Sequence, residues 1–189
     1  MREEVTALLE NRDELLTITY FKIQELFDKK YGENALVLME IGTFFEVYEV
    51  NNEKEKIGKA KEIAELLNIQ LTRKNKSILE NSKENPIMAG VPAISFEKHL
   101  ARIIAEQKYT IAIIRQKGTP PNVSRYLDVI VSPGTNFDFV VEQDDNFITS
   151  IVIDQIRGNY LIGYSAIDVT TAKCYYNEVH GTSEDKFFA

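Results

Sequence analysis

Ile41-Gly42-Thr43-Phe44-Phe45-Glu46-Val47-Tyr48 is the stretch on which the reading of this chain turns. It follows the apolar run Ala35-Leu36-Val37-Leu38-Met39, and a single glycine separates the two. Two apolar-rich runs about a glycine read as the strands of a hairpin. Strand side chains alternate, so Phe44, Glu46 and Tyr48 share one face while Phe45 and Val47 share the other. Two positions along a strand span about 7 Å, which sets a flat ring beside a carboxylate just past a flexible turn. Two readings stay open at this point. In one, Phe44 is an ordinary buried strand residue and Glu46 a solvated one. In the other, the ring stands free and the pair meets a ligand.

Upstream, residues 2–16 are charged with scattered leucines, a short helix or a loose arm. Thr17 is placed to cap a helix running to about Lys30, with an apolar stripe of Ile18, Phe21, Ile23, Leu26 and Phe27, and Gly32 stops it. Downstream, Asn51–Lys56 is a polar turn. A helix from about Ile57 to Leu67 follows, carrying Ala60, Ile63, Ala64 and Leu67 at helical spacing. Ile69–Thr72 alternates like a strand, and a polar loop extends to Asn85. Pro86–Pro92 is a short apolar element between prolines, which suits a sheet edge or a tight turn. Ser95 is placed to cap a helix that buries Phe96, Leu100, Ile103 and Ile104. Thr110–Ile114 and Tyr126–Val131 read as strands about the loop Lys117–Pro121.

Pro133-Gly134-Thr135 marks a boundary. The organisation expected is a mixed-sheet α/β domain over 1–132, an acidic linker over 133–146, and a three-strand antiparallel meander within 147–189. The meander strands are Phe147–Asp154, Tyr160–Asp168 and Lys173–Val179. Three strands with no helix over them do not close a core, and the chain stops at Phe187-Phe188-Ala189. The expectation is a fragment of a longer polypeptide, cut inside its second domain.

The 189 residues are 44% hydrophobic and 27% charged, an ordinary globular composition. The lone Cys174 excludes an internal disulfide. No apolar run approaches the roughly 20 residues that cross a bilayer, and the acidic start Met1-Arg2-Glu3-Glu4 is no signal peptide. A cytoplasmic setting without membrane partners is the default expectation. The net charge of −7 argues against indiscriminate nucleic-acid binding. That charge is uneven. From Pro133 to Ala189 nine acids meet three bases, whereas the first 132 residues hold 20 acids and 19 bases. The first part can therefore carry a local basic patch. Arg73, Lys74 and Lys76 form a basic knot after the Ile69–Thr72 strand, and Lys98, Arg102, Lys108, Arg115, Lys117 and Arg125 are further cations nearby in sequence.

Catalytic signatures are missing. There is no phosphate-cradling glycine loop and no Gly-x-Ser-x-Gly elbow. His99 and His180 lie far apart, and one cysteine builds no zinc site. Asp154 and Asp168 sit at strand ends, where paired carboxylates could hold magnesium. Strand ends also attract aspartate for turn chemistry alone.

Four blocks, in order and at similar spacing, resemble the N-terminal part of the MutS family of DNA mismatch-recognition proteins. The family's Gly-Asp-Phe-Tyr-Glu stands here as Gly42-Thr43-Phe44-Phe45-Glu46. Its Leu-Thr-Lys-Arg stands as Leu71-Thr72-Arg73-Lys74. Its Pro-Met-Ala-Gly-Ile-Pro stands as Ile87-Met88-Ala89-Gly90-Val91-Pro92, and its Pro-Gly-Thr as Pro133-Gly134-Thr135. The chain departs from the pattern at Thr43, where Asp is usual, at Ala93-Ile94, where Tyr-His is frequent, and at Arg115, where Glu is common.

The resemblance implies an α/β mismatch-binding domain followed by the first strands of a ribonuclease-H-like connector domain. It implies that Phe44 stacks on a mispaired base from the minor groove, that Glu46 hydrogen-bonds that base, and that Arg73, Lys74 and Lys76 lie near DNA backbone. The partner implied is double-stranded DNA with a mismatch or lesion. No cofactor or enzymatic activity is implied for these residues. ATP, magnesium and dimer contacts would belong to domains following Ala189. Two other readings stand beside this one. The chain could be a protein-interaction module of a divergent family member that no longer reads mismatches, or a small nuclease using Asp154 and Asp168.

Overall fold

The computed structural model describes residues 1–119, 121–132, 135, 147–169 and 171–181. The Pro133-Gly134 boundary, the linker from 136 to 146 and the Phe187-Phe188-Ala189 end lie outside the described residues. The chain divides into two units, Met1–Pro133 and Gly134–Ala189.

The first unit is built on the hairpin of β1 (Ala35–Ile41) and β2 (Phe44–Asn51), whose register pairs Ile41 with Phe44. Gly42 has φ of +62°, the left-handed value that a two-residue hairpin turn needs at its first position. β2 continues outward to β3 (Lys56–Gly58) and β5 (Ile87–Pro92), and β4 (Thr72–Arg73) adds to β5. On its other side β1 pairs in parallel with β6 (Thr110–Lys117), which pairs with β7 (Ser124–Val131). The result is one mixed seven-stranded sheet in the order β4-β5-β2-β1-β6-β7, with β3 on β2.

Helices cover both faces. α1 (Arg2–Glu10) and α2 (Leu16–Tyr31) bury Val5, Tyr20, Phe21, Ile23 and Phe27 against Val37, Met39, Tyr48, Val50, Ala112, Ile114 and Leu127. α3 (Ala60–Leu67) and α4 (Phe96–Ala105) cover the opposite face, where Phe45 stacks on Phe96 with ring centroids 3.6 Å apart. The arm at 2–10 is thus a helix. Arg2 ties it down by donating to the Leu127 and Asp128 carbonyls, each at 3.1 Å.

Several boundaries differ from the sequence expectation. Thr17 does not cap α2. The helix starts at Leu16, and Thr17 is buried inside it. Gln24 lies on the buried face too, because β1 pairs with β2 only from Met39 to Ile41 and lacks that neighbour over the residues before Met39. The freed backbone is met from α2. The Gln24 amide accepts from Val37 N–H and donates to the Ala35 carbonyl, both at 3.0 Å. Tyr20 Oη donates to the Val37 carbonyl at 2.9 Å.

Ile57 belongs to β3 rather than to α3. Ile69–Leu71 is no strand. Asn68 turns left-handed at φ +55°, and Ile69 N–H returns to Ala64 O to finish the helix. Ser95 stands at the α4 N-cap position, but its hydroxyl bonds Pro92 O and a 3₁₀ turn over Ala93–Ser95 leads in. Pro86 precedes β5, and Pro92 ends it. The strand lies inside the sheet, but β4 reaches only Ile87 and Met88, which leaves the rest of that side open for Pro92.

The second unit is a meander of β8 (Phe147–Ile156), β9 (Asn159–Asp168) and β10 (Cys174–Gly181). Arg157 and Gly158 both have positive φ in the tight turn between β8 and β9. Every residue of β8 is exposed, including Ile151, Val152 and Ile153.

Candidate functional site

The face carrying Phe44, Glu46 and Tyr48 becomes steadily more enclosed along β2. Exposure falls from 44% at Phe44 to 8% at Glu46 and 0% at Tyr48. Alternation places all three on the α1/α2 side, and Tyr48 closes the row with its ring edge-on to Tyr20 at 4.8 Å. The helices cover Tyr48 and leave Phe44 beyond them at the hairpin end. Phe45, on the other face, is sealed under α4. Of two adjacent phenylalanines, one is core and the other stands out.

Glu46 is not a solvated strand residue. Its Oε2 accepts a hydrogen bond from Tyr48 Oη and lies 3.4 Å from Lys74 Nζ, which also donates to Tyr48 Oη at 3.1 Å. The Lys74 ammonium sits 5.4 Å from the centre of the Tyr48 ring. Burial, and then the adjoining carboxylate, push the Tyr48 phenol well above its ordinary range, so it remains a donor.

The basic knot is split by strand alternation. Thr72 pairs with Met88, which pairs with Tyr48, so Thr72 and Lys74 fall on the Phe44 side. Arg73 turns to the other side and spends its guanidinium on the Leu79 carbonyl. Lys76 is exposed in the following loop. That loop is closed on itself: Asn85 accepts from Asn75 N–H and donates to the Ile78 and Glu80 carbonyls. Among the other cations, Arg102 binds the Leu66 and Leu67 carbonyls, Lys108 pairs with Glu62, and Arg115 with Glu97 and Asp128. Arg125 lies on the Phe44 side, two residues from buried Leu127, and donates to the Glu40 carbonyl at 3.1 Å.

Two neighbours of the hairpin tip were not among the candidate site residues read from the sequence. Gln116 grips Gly42 through both of its backbone groups. Ile94, which is 99% exposed, projects from the turn that Ala93 N–H ties to Thr43 O at 2.8 Å. Their place beside the hairpin is not legible in sequence, since both depend on strands far apart in the chain.

The paired carboxylates of the nuclease reading do not meet. Asp168 pairs across the sheet with Phe147, and Asp154 lies seven residues further along β8, about 23 Å away. Asp168 is buried and takes the Thr171 hydroxyl, which is turn chemistry. Among the described residues no cluster of three His, Cys, Asp or Glu could hold a metal, and no helix is long and apolar enough to cross a membrane.

The first unit is thus a mixed sheet with helices on both faces and a half-exposed aromatic at a hairpin end. Residues 20–140 match the family model described as MutS domain I. The chain belongs to the MutS family of DNA mismatch repair proteins. It is 29% identical over 186 residues to a putative DNA mismatch repair protein, a MutS homolog of Acanthamoeba polyphaga mimivirus, covering 95% of this chain. It is 28% identical to the DNA mismatch repair protein MutS of Halothermothrix orenii and 30% identical to that of Chlorobium phaeobacteroides, covering 84% and 79% of this chain. The chain spans about 16% of the length of each of these relatives.

Proposed function

We propose that the first unit reads mismatched or damaged DNA by inserting Phe44 beside a poorly held base from the minor groove, with Glu46 bonding that base. The observation that carries this is the half-exposed ring at the hairpin end with a carboxylate two residues behind it on one face. A mispaired base stacks poorly, so opening its step costs less than opening a matched one. A wedge that must open a step therefore selects sites already easy to kink. Stacking an aromatic on a base returns roughly 1–3 kcal/mol. Lys74 and Lys76 flank the face and would meet phosphates. Arg73 would contribute through the shape of its loop, where its guanidinium is engaged. The second unit is proposed as the opening of a connector domain of ribonuclease-H-like fold, whose exposed apolar strands further chain would cover. ATP hydrolysis and dimer contacts would lie in such further chain.

The test is a gel-shift of the complete polypeptide on mismatched and perfect duplexes at one salt concentration, with and without Phe44→Ala. The expected outcome is loss of the preference for mismatch with an unchanged melting temperature. Truncating a core phenylalanine would instead cost about 3–5 kcal/mol, and a collapsed melting temperature would count against the wedge.

One observation favours a second reading, a protein-interaction module that no longer reads mismatches. Arg102, Lys108, Arg115 and Arg125 are spent on internal contacts, and Lys74 on Glu46. Equal binding of both duplexes by the unaltered polypeptide, or binding of neither, would select it.

A further inference from the structure

We propose that Tyr48 and Lys74 are positioning residues for Glu46: they hold one oxygen of its carboxylate and leave the other as the single acceptor presented to a base edge. The inference rests on the reading of Phe44 and Glu46 just given and names what sets their specificity.

Both contacts fall on Oε2, the phenol proton of Tyr48 and the ammonium of Lys74. Oε1 has no hydrogen-bond partner among the described residues. A free glutamate carboxylate turns readily about its last torsion, so neither oxygen has a fixed place. Here that torsion is fixed before any ligand arrives, and the ordering cost is met in folding rather than in binding.

The support is itself rigid. Tyr48 is fully buried against Tyr20, and burial with the neighbouring carboxylate keeps its phenol protonated. Lys74 is anchored by its own N–H to Pro86 O at 3.1 Å. Space for the Glu46 chain comes from Gly90, its cross-strand partner. A methyl group there would stand 3.4 Å from Glu46 Cγ and 3.2 Å from the Phe45 carbonyl oxygen.

A single oriented acceptor favours a base edge that offers a donor and disfavours one that offers only acceptors. Lys74 adds a second consequence. Its charge offsets that of Glu46, so the carboxylate repels approaching phosphates less than a lone one would.

The experiment measures the ratio of dissociation constants for mismatched and perfect duplexes, by fluorescence anisotropy of the complete polypeptide at one salt concentration. The variants are Tyr48→Phe, Lys74→Met and Lys74→Arg, each alone and combined with Glu46→Gln, together with Phe44→Ala. Tyr48→Phe and Lys74→Met are each expected to reduce the mismatch preference about fivefold to tenfold, within the range of an ordinary net hydrogen bond. Lys74→Arg should restore most of it. In the Glu46→Gln background Tyr48→Phe should change the ratio less than about twofold, since the group it positions has been altered. Lys74 is exposed, so its variants test the idea even if Tyr48→Phe folds poorly.

Equal losses with and without Glu46 would overturn the inference. So would an unchanged ratio in Tyr48→Phe and Lys74→Met while Phe44→Ala and Glu46→Gln abolish the preference. If Phe44→Ala and Glu46→Gln leave the ratio intact, the wedge reading fails and this inference falls with it.

Discussion

Gln116 closes on Gly42 like a bracket: its Oε1 accepts the glycine N–H and its Nε2 donates to the glycine carbonyl, each at 3.0 Å. The two residues are 74 positions apart in sequence. β6 and β1 run parallel, so the clamp comes from the strand beside the hairpin rather than from the hairpin itself. Its own backbone is fixed in turn, with Gln116 N–H donating to Glu40 Oε2 at 2.9 Å. Gly42, in the turn before Phe44, is therefore bonded on both of its backbone polar groups.

Gln116→Leu keeps the side-chain bulk and removes both bonds. Each is a partly exposed, neutral hydrogen bond worth about 0.5–1.5 kcal/mol net. The expected loss is about 1–2 kcal/mol of stability by urea denaturation. Amide exchange at Gly42 should accelerate, while exchange at buried Val37 should rise no further than the global loss requires. An exchange rate at Gly42 equal to that of the unaltered protein would mean that the clamp does not hold the turn.

Two glycines with positive φ should respond differently to the same change. At Gly58, φ is +85° and an added methyl carbon would lie 2.0 Å from the Tyr48 carbonyl oxygen. That oxygen is strand backbone and cannot swing aside. At Gly42, φ is +62° with open space around the position. Gly58→Ala is expected to cost about 2–4 kcal/mol and Gly42→Ala about 1 kcal/mol, the latter from backbone conformation alone. Paired thermal melts decide this, and a larger loss at Gly42 than at Gly58 would contradict the packing.

What sequence could and could not show follows from range. The β1–β2 hairpin and the stripe Phe96, Leu100, Ile103 and Ile104 are local patterns, and all four stripe residues are buried. The free stance of Phe44 against buried Phe45 follows from alternation only after one knows where the helices end. Glu46 was open to misreading because its partners are Tyr48 on the same face and Lys74, 28 residues away. The separation of Arg73 from Lys74 depends on how β4 registers with β5, across the loop from Lys74 to Pro86. Composition sees three neighbouring cations there, and only the strand assignment sends one to the opposite face. In α2, Gln24 broke the apolar stripe because its partner is backbone of β1 and not a hydrophobic side chain.

That Gln24 contact yields its own prediction. Gln24 is fully buried, and its amide satisfies Val37 N–H and Ala35 C=O on the side of β1 away from β6, where β2 does not pair with them. Gln24→Leu fills the same volume with apolar atoms. It leaves two buried backbone groups unpaired, at a cost of roughly 2–4 kcal/mol. Gln24→Glu would keep the acceptor for Val37 and lose the donor for Ala35. Both variants should lower the urea midpoint without changing the slope. A stabilised Gln24→Leu protein would show that β1 finds another partner.

Glu62 gives the chain an acid-sensitive contact on the α3 side. Its Oε1 takes hydrogen bonds from Lys108 Nζ and from Tyr109 Oη. Burial pushes this carboxyl upward, but the two hydrogen bonds and the charges of Lys108 and Lys59 together outweigh it and hold the pKa below its ordinary range. A carboxylate with a lower pKa folded than unfolded adds stability above the unfolded value, about 4.3. That stability is lost as the pH falls through the folded value. The advantage of the unaltered protein over Glu62→Gln should therefore be largest near neutrality and shrink below about pH 4.3. The side chain is 41% exposed, so added salt should reduce the neutral-pH difference as well. Urea melts of both proteins from neutral to acid pH, at low and high salt, measure this directly. A gap that widens on acidification would show that Glu62 gains nothing from Lys108 and Tyr109 in the folded state.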